Sequence, residues 1–208
     1  MKIQKCVFLV FLFLCTTGCK QDLAPLEGCT NNLAVNYNPD AITEDGSCIF
    51  FSATPYIFQN PIGFPEMNIP TDNLMTVEGV SLGEKLFKDP ILSGDNTQAC
   101  IDCHQRGNTF SDPNQFSIGI DGTQGSRNAS ALINLGWNTR FNWDGSAKSL
   151  EEQAFEPVVN PLEMHNTWQN VEATLNAHNE YPLLFKNAFN IDYIDSNHVV
   201  MAIAQFER

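Results

Sequence analysis

Cys100-Ile101-Asp102-Cys103-His104 is the stretch of this 208-residue sequence whose residue types and spacing specify a chemistry. Two thiols three residues apart lie on one helical turn and face the same way. A histidine follows them directly. Haem carries two vinyl groups along one edge, and each can form a thioether with a cysteine. The histidine then turns beneath the ring and offers the iron an imidazole nitrogen. The spacing therefore predicts one haem c, attached through Cys100 and Cys103 and ligated by His104. Other chemistries suit the stretch less well. Structural zinc needs four ligands, and no second cysteine pair stands at a suitable distance. A dithiol redox pair should open a helix after a buried strand, and no strand is expected before it.

The elements that must carry this group read as helices. Val80, Leu86 and Phe87 recur at helical spacing over 77–88, and Asp89-Pro90 bars continuation. Ser149-Leu150-Glu151-Glu152 has the form of a capping box and opens a helix running towards Pro157. Thr167 caps a helix through Val171 and Leu175 to His178. Pro182 stands near the start of another, holding Leu184, Phe185 and Phe189. Ser196 caps a last one with Val199, Ala202, Ile203 and Phe206. No strand is predicted. The expected fold is mainly α, a cytochrome c-like haem domain with long loops, chiefly 105–142. The final amphipathic pattern is still running at Arg208, with no Gly, Asn or Pro to close it. We read this as the N-terminal part of a longer protein.

Composition narrows the class. Hydrophobic residues make up 43% and charged residues 17%, which is globular, and the formal net charge of −13 argues against a nucleic-acid partner. An acidic surface suits a basic soluble partner such as a small electron carrier. Lys2 and Lys5, the apolar run Val7 to Leu14 and Thr16-Thr17-Gly18-Cys19 form an export signal of lipoprotein type over 1–18. Cys19 is the expected lipidation site and the only tie to a membrane. An ordinary cleaved signal peptide is the alternative. Either reading takes the chain to the bacterial cell envelope, and Cys6 and Cys15 fall in the discarded part.

Residues 19–54 read as a tether and a small module. There an oxidising compartment permits a Cys29–Cys48 disulfide, worth about 3 kcal/mol on the chain-entropy model. Asn38, Asp40, Glu44 and Asp45 offer oxygens to calcium but lack the spacing of an EF-hand loop. A solvated polar loop is the preferred reading. The text GCT…NYNP…DGSC resembles a Cys-bounded module repeated in exported bacterial proteins, which implies a spacer or attachment role. The haem domain is expected over 55–208.

From Leu82 onward the sequence resembles the N-terminal haem domain of the bacterial di-haem cytochrome c peroxidase family, which includes the MauG-type enzymes. LGEKLFKDPILS (82–93), CIDCH (100–104), SIGIDGTQGSRNASALIN (117–134), FNWDGSAKSLEEQAFEPVVNPLEM (141–164), YPLLFKNAF (181–189) and AIAQFER (202–208) carry the resemblance. They cover about three-fifths of the chain, in order.

The resemblance implies roles. Glu163 matches the distal carboxylate that works as acid–base catalyst, and Gln153 the amide beside it. Trp143 matches the tryptophan between two haems, and Asn128 a residue of an interdomain calcium site. A carboxylate near the iron can move a proton between the two oxygens of peroxide before they part. The chain departs from the family at Ile120, where a blocking histidine is common, so the distal face is expected to be open; Met164 or His165 are the replacement ligands if it is not. Ser146 stands where the family often has arginine, which puts any contact of that arginine with the haem in doubt. His178 and His198 receive no role.

The implied activity is reduction of hydrogen peroxide to water with electrons from a small cytochrome c or cupredoxin, relayed by a second haem domain beyond this sequence. A MauG-like oxidation of a protein or organic substrate, or a non-enzymatic electron-transfer cytochrome, are the alternatives. Carbon monoxide or cyanide binding separates an open haem from a blocked one.

Overall fold

The computed structural model describes residues 25–49, apart from 33 and 35, and residues 53–208. The export segment 1–18 and Cys19 lie outside the described residues. The chain divides into two units, Met1–Phe50 and Phe51–Arg208.

In the first unit Cys29 and Cys48 are joined as a disulfide. Main-chain bonds from Ile42 and Thr43 to the Leu26 carbonyl draw two short segments together. They form a two-residue parallel pair, β1 (Glu27–Gly28) and β2 (Thr43–Glu44), where no strand was expected from sequence. Three of the four side chains considered as calcium donors serve the chain itself. Glu44 accepts from the Thr30 N–H and hydroxyl and from the Gly46 N–H, Asp45 from the Ser47 N–H, and Asn38 from the Asp40 N–H. These bonds hold the carboxyls of Glu44 and Asp45 below the usual range.

The second unit is mainly helical: α1 (Val77–Lys88), α2 (Cys100–Cys103), α3 (Leu150–Val159), α4 (Trp168–Ala177), α5 (Tyr181–Phe189) and α6 (Ser196–Glu207). Four of these starts are capped by side chains. The side chains of Thr76, Ser149 and Thr167 accept from the N–H groups of Gly79, Glu152 and Asn170. The cap of α6 is Asp195 rather than the expected Ser196; its carboxylate accepts from the His198 N–H, and a negative charge suits a helix start. Helix α4 stops at Ala177, with His178 outside as its C-cap. Helix α3 runs two residues past Pro157.

The core gathers Leu82, Leu86, Val158, Val171, Leu175, Tyr181, Phe185, Val199, Val200 and Ile203, all essentially sealed from solvent. Burying one such side chain stabilises the fold by roughly 1.5–3 kcal/mol. Val80 is only half-buried. Gly79 and Gly83 complete the buried stripe of α1 instead, and they let α6 approach. A Cβ at Gly83 would lie 2.0 Å from the Ala202 carbonyl oxygen, and one at Gly79 2.2 Å from Gln205 Oε1. Gln205 also accepts from the Thr76 N–H and donates to Asn73, which donates in turn to Glu151 on α3. Between α2 and α3 the chain is irregular, with two three-residue 3-10 turns and left-handed Thr109, Phe110, Asn134 and Asn142. No helix among the described residues is long and apolar enough to cross a membrane.

Candidate functional site

Cys100 and Cys103 stand on the single turn of α2, at the edge of a hollow. Asp102 stabilises that turn by accepting from the Ala99 N–H at 2.8 Å. Both thiols are free, and burial pushes both upward in pKa, furthest for Cys100, where Glu207 adds to the effect. Thiols held protonated are poor metal ligands and poor redox nucleophiles. The rival zinc and dithiol readings therefore gain nothing from their surroundings.

His104 caps α2, its N–H donating to the Cys100 carbonyl at 3.0 Å. Its Nδ1 lies 3.0 Å from the Phe110 carbonyl. Burial lowers the imidazole pKa, and the main-chain contacts to Phe110 and Ser130 oppose this. A neutral imidazole with Nδ1–H on a backbone carbonyl keeps the Nε2 lone pair for a metal, the usual second contact of a ligating histidine.

Two adjoining hollows of about 480 Å³ and about 60 Å³ share Cys103, His104, Gln153, Pro157 and Glu163. The larger also takes in Asn128, Trp143 and Ser146, and the smaller takes in Cys100, Met164 and Glu207. The residues singled out from sequence, more than sixty positions apart at the extremes, are thus neighbours along one cavity. Its size falls within the range of cofactor pockets. Leu132, Leu135, Phe141 and Leu150 give it apolar walls, and Arg127 and Arg140 give it cations. Free paired thiols, a histidine with its second nitrogen engaged, and a cavity of this lining fit a haem c.

The distal turn is built from the end of α3. Asn160, Met164 and Asn166 donate their N–H groups to the carbonyls of Glu156, Pro157 and Val158, so residues 160–166 fold back over the helix terminus. Within that turn the Asn160 carbonyl accepts from the N–H groups of both Glu163 and His165. A neighbouring loop fastens the other side, the Ile120 N–H donating to the Glu163 carbonyl at 3.0 Å. Gly119 permits this approach, since a Cβ there would meet the Leu162 carbonyl oxygen at 2.4 Å. Glu163 is half-buried, and burial raises its carboxyl pKa, with Glu156 adding to the rise and a hydrogen bond from Asn160 opposing it.

Ile120 lines neither hollow. Of the two replacement ligands considered, Met164 is buried and lines the smaller hollow, whereas His165 is half-exposed and paired with Asp121. Trp143 is 66% exposed, its Nε1–H donating to the Asn128 carbonyl at 2.7 Å. Its turn closes through the Phe141–Ala147 bridge and the Arg127–Asp144 pair, which holds the Asp144 carboxyl well below its usual range. Asn128 Oδ1 accepts from the Ser111 hydroxyl, and Nδ2 donates to the carbonyls of Asp112 and Asn114. Calcium takes six to eight oxygens. No cluster of three or more His, Cys, Asp or Glu side chains gathers at Asn128 among the described residues.

Sequence reasoning passed over Asn160, Arg127 and Arg140. The Asn160-Pro161 dipeptide, a common turn opener, was the available sign for the first. The two arginines left none.

Comparison with known proteins gives a consistent picture. The model of the family described as di-haem cytochrome c peroxidase matches residues 77–208. The methylamine utilization protein MauG of Methylorubrum extorquens is 36% identical over 167 residues, which cover 80% of this chain and 46% of that protein. The cytochrome c551 peroxidase of Pseudomonas aeruginosa is 43% identical over 108 residues, 52% of this chain and 31% of that one. Among solved structures, a MauG-like protein associated with microbial copper homeostasis superposes with a TM-score of 0.68 at 30% identity, over 73% of this chain and 46% of that one. The chain spans less than half the length of each of these relatives.

Proposed function

The chain belongs to the di-haem cytochrome c peroxidase family, and we propose that residues 77–208 are the peroxide-reacting half of such an oxidoreductase. The observation that carries this reading is the convergence of Cys103, His104, Gln153 and Glu163 on one cavity. Cys100 and Cys103 would attach the haem, and His104 would hold its iron from one face. When bound, the haem supplies the iron centre that takes up peroxide and the oxidising power released as the O–O bond parts.

The protein's own share is proton handling. Glu163, as carboxylate, would take a proton from one oxygen of peroxide and return it to the other, which would leave as water. Gln153, on the same wall, orients the peroxide through its amide. Trp143, at the rim, suits one-electron traffic towards a second haem domain beyond this sequence. Electrons would come from a small cytochrome c or cupredoxin, in the cell envelope to which the export segment directs the chain, with Cys19 as lipid anchor. Calcium would bind near Asn128.

A MauG-like oxidation of a larger substrate is the second reading. It is favoured by the likeness to MauG and by Ile120, which offers no iron ligand. Both readings predict that the isolated haem protein reacts with hydrogen peroxide without prior reduction. Glu163→Gln should slow that reaction by about 10²–10⁴-fold, the usual worth of a positioned acid–base group. A non-enzymatic electron carrier would instead show no reaction with peroxide and no binding of cyanide.

A further inference from the structure

Asn160 engages Glu163 twice. Its carbonyl accepts the Glu163 N–H at 3.0 Å, and its side-chain Nδ2–H donates to Glu163 Oε1 at 2.9 Å. Its own Oδ1 is fixed in turn by the Leu162 N–H at 3.0 Å. The amide therefore cannot swing away without breaking the turn, and Pro161 stiffens the segment between. With the Glu163 carbonyl held by Ile120, backbone and carboxylate are fixed from separate directions. Among the described residues none donates a hydrogen bond to Glu163 Oε2, on a side chain that lines both hollows.

We infer that Asn160 is the positioning residue for Glu163, its amide clamping Oε1 so that Oε2 is the oxygen presented to the cavity. This rests on the reading of Glu163 as the acid–base group. A carboxylate free to rotate would offer either oxygen, in several orientations, and a proton shuttle loses rate steeply with misplacement. The amide donor also favours the ionised carboxylate over the acid. The ionisable groups around the pair are Glu156 on α3, Cys103 and His104 across the hollow, and the Asp121–His165 pair beside the neighbouring loop.

The test uses the haem-loaded full chain. Asn160→Asp keeps an acceptor for the Leu162 N–H, removes the donor to Glu163 Oε1 and sets a second negative charge beside it. Asn160→Ser removes that donor without adding charge, its side chain being too short to reach Oε1, and carries the test if the aspartate variant does not fold. Both should slow the peroxide reaction on the order of tenfold to a hundredfold and move its pH midpoint upward. In a Glu163→Gln background, Asn160→Asp should add no further loss. That double variant exchanges amide and carboxylate, so its urea midpoint should return towards the wild-type value while its reactivity stays lost. Wild-type rate and pH midpoint in both Asn160 single variants, with Glu163→Gln inactive, would overturn the inference. So would a double variant no more stable to urea than Asn160→Asp alone. A Glu163→Gln protein that reacts as wild type would instead overturn the acid–base reading itself.

Discussion

Glu163 is under two opposing influences, and their balance sets how the site responds to pH. Burial and Glu156 raise its pKa, while the Asn160 amide lowers it, with burial the larger. In the proposed reaction the carboxylate is the form that takes a proton from peroxide. Because its pKa is raised, that form should appear only above the ordinary glutamate range of about 4.3. The rate of the peroxide reaction should therefore climb with pH through a midpoint above that value. In Glu163→Gln the limb should vanish and the remaining rate be flat. Stopped-flow traces of the Soret band across pH 4–9 check this, and a wild-type midpoint at or below the ordinary value would contradict it. Spacing alone drew attention to Cys100, Cys103 and His104 in the sequence, and family resemblance alone to Glu163. Asn160 was not legible there, because an Asn before Pro signals a turn and says nothing of what its amide will touch.

At the scale of elements, the contact of α1 with α6 is the joint on which the cavity depends. Gly83 lies against the Ala202 carbonyl, a backbone atom that cannot move aside cheaply, and α6 brings Ile203 and Glu207 to the smaller hollow. Gly83→Ala should destabilise the protein by about 1–3 kcal/mol, as overpacking does, and the loss should appear as a lower urea midpoint with an unchanged slope. The apolar periodicity that locates α1 in the sequence does not show this, because a glycine stripe carries no hydrophobic signal. The same holds for the α6 cap, where Asp195 and Ser196 are both good candidates and only geometry decides between them.

Glu207 on α6 makes a second prediction at this scale. Its Oε2 is sealed from solvent and has no hydrogen-bond partner among the described residues, and burial pushes its pKa up to about 8. Arg208 opposes that rise and Glu151 adds to it. A raised acid pKa means that the folded state favours the protonated form. The stability it contributes is full below the unfolded value of about 4.5 and is lost as pH rises towards about 8. Glu207→Gln should remove that slope and make the protein more stable than wild type at pH 8, by on the order of a few kcal/mol. Urea midpoints at pH 5 and pH 8 check the sign, and a variant less stable than wild type at pH 8 would contradict it.

At the scale of the whole molecule, the mainly helical class followed from periodicity and caps. The way residues 104–149 wrap one side of the cavity did not. Those residues have little repeating pattern and are held by individual contacts, such as Trp143 on Asn128 and Arg127 on Asp144. The first unit follows different physics. Its described residues bury only Cys29 and Ala34 among apolar side chains, so its shape rests on the disulfide and on bonds such as those to Glu44. Reduction should therefore unfold it, as judged by loss of amide protection over 26–49; persistence of that protection in dithiothreitol would show that the disulfide is dispensable.

Everything proposed for the second unit depends on a haem held by Cys100 and Cys103. The most direct measurement is the intact mass of the acid-denatured chain, made in cells able to mature c-type cytochromes. The account predicts one haem retained per chain, located on the peptide containing Cys100 to His104 and absent from the Cys100→Ser/Cys103→Ser variant. A chain that carries no haem, or that releases it on denaturation, would contradict it.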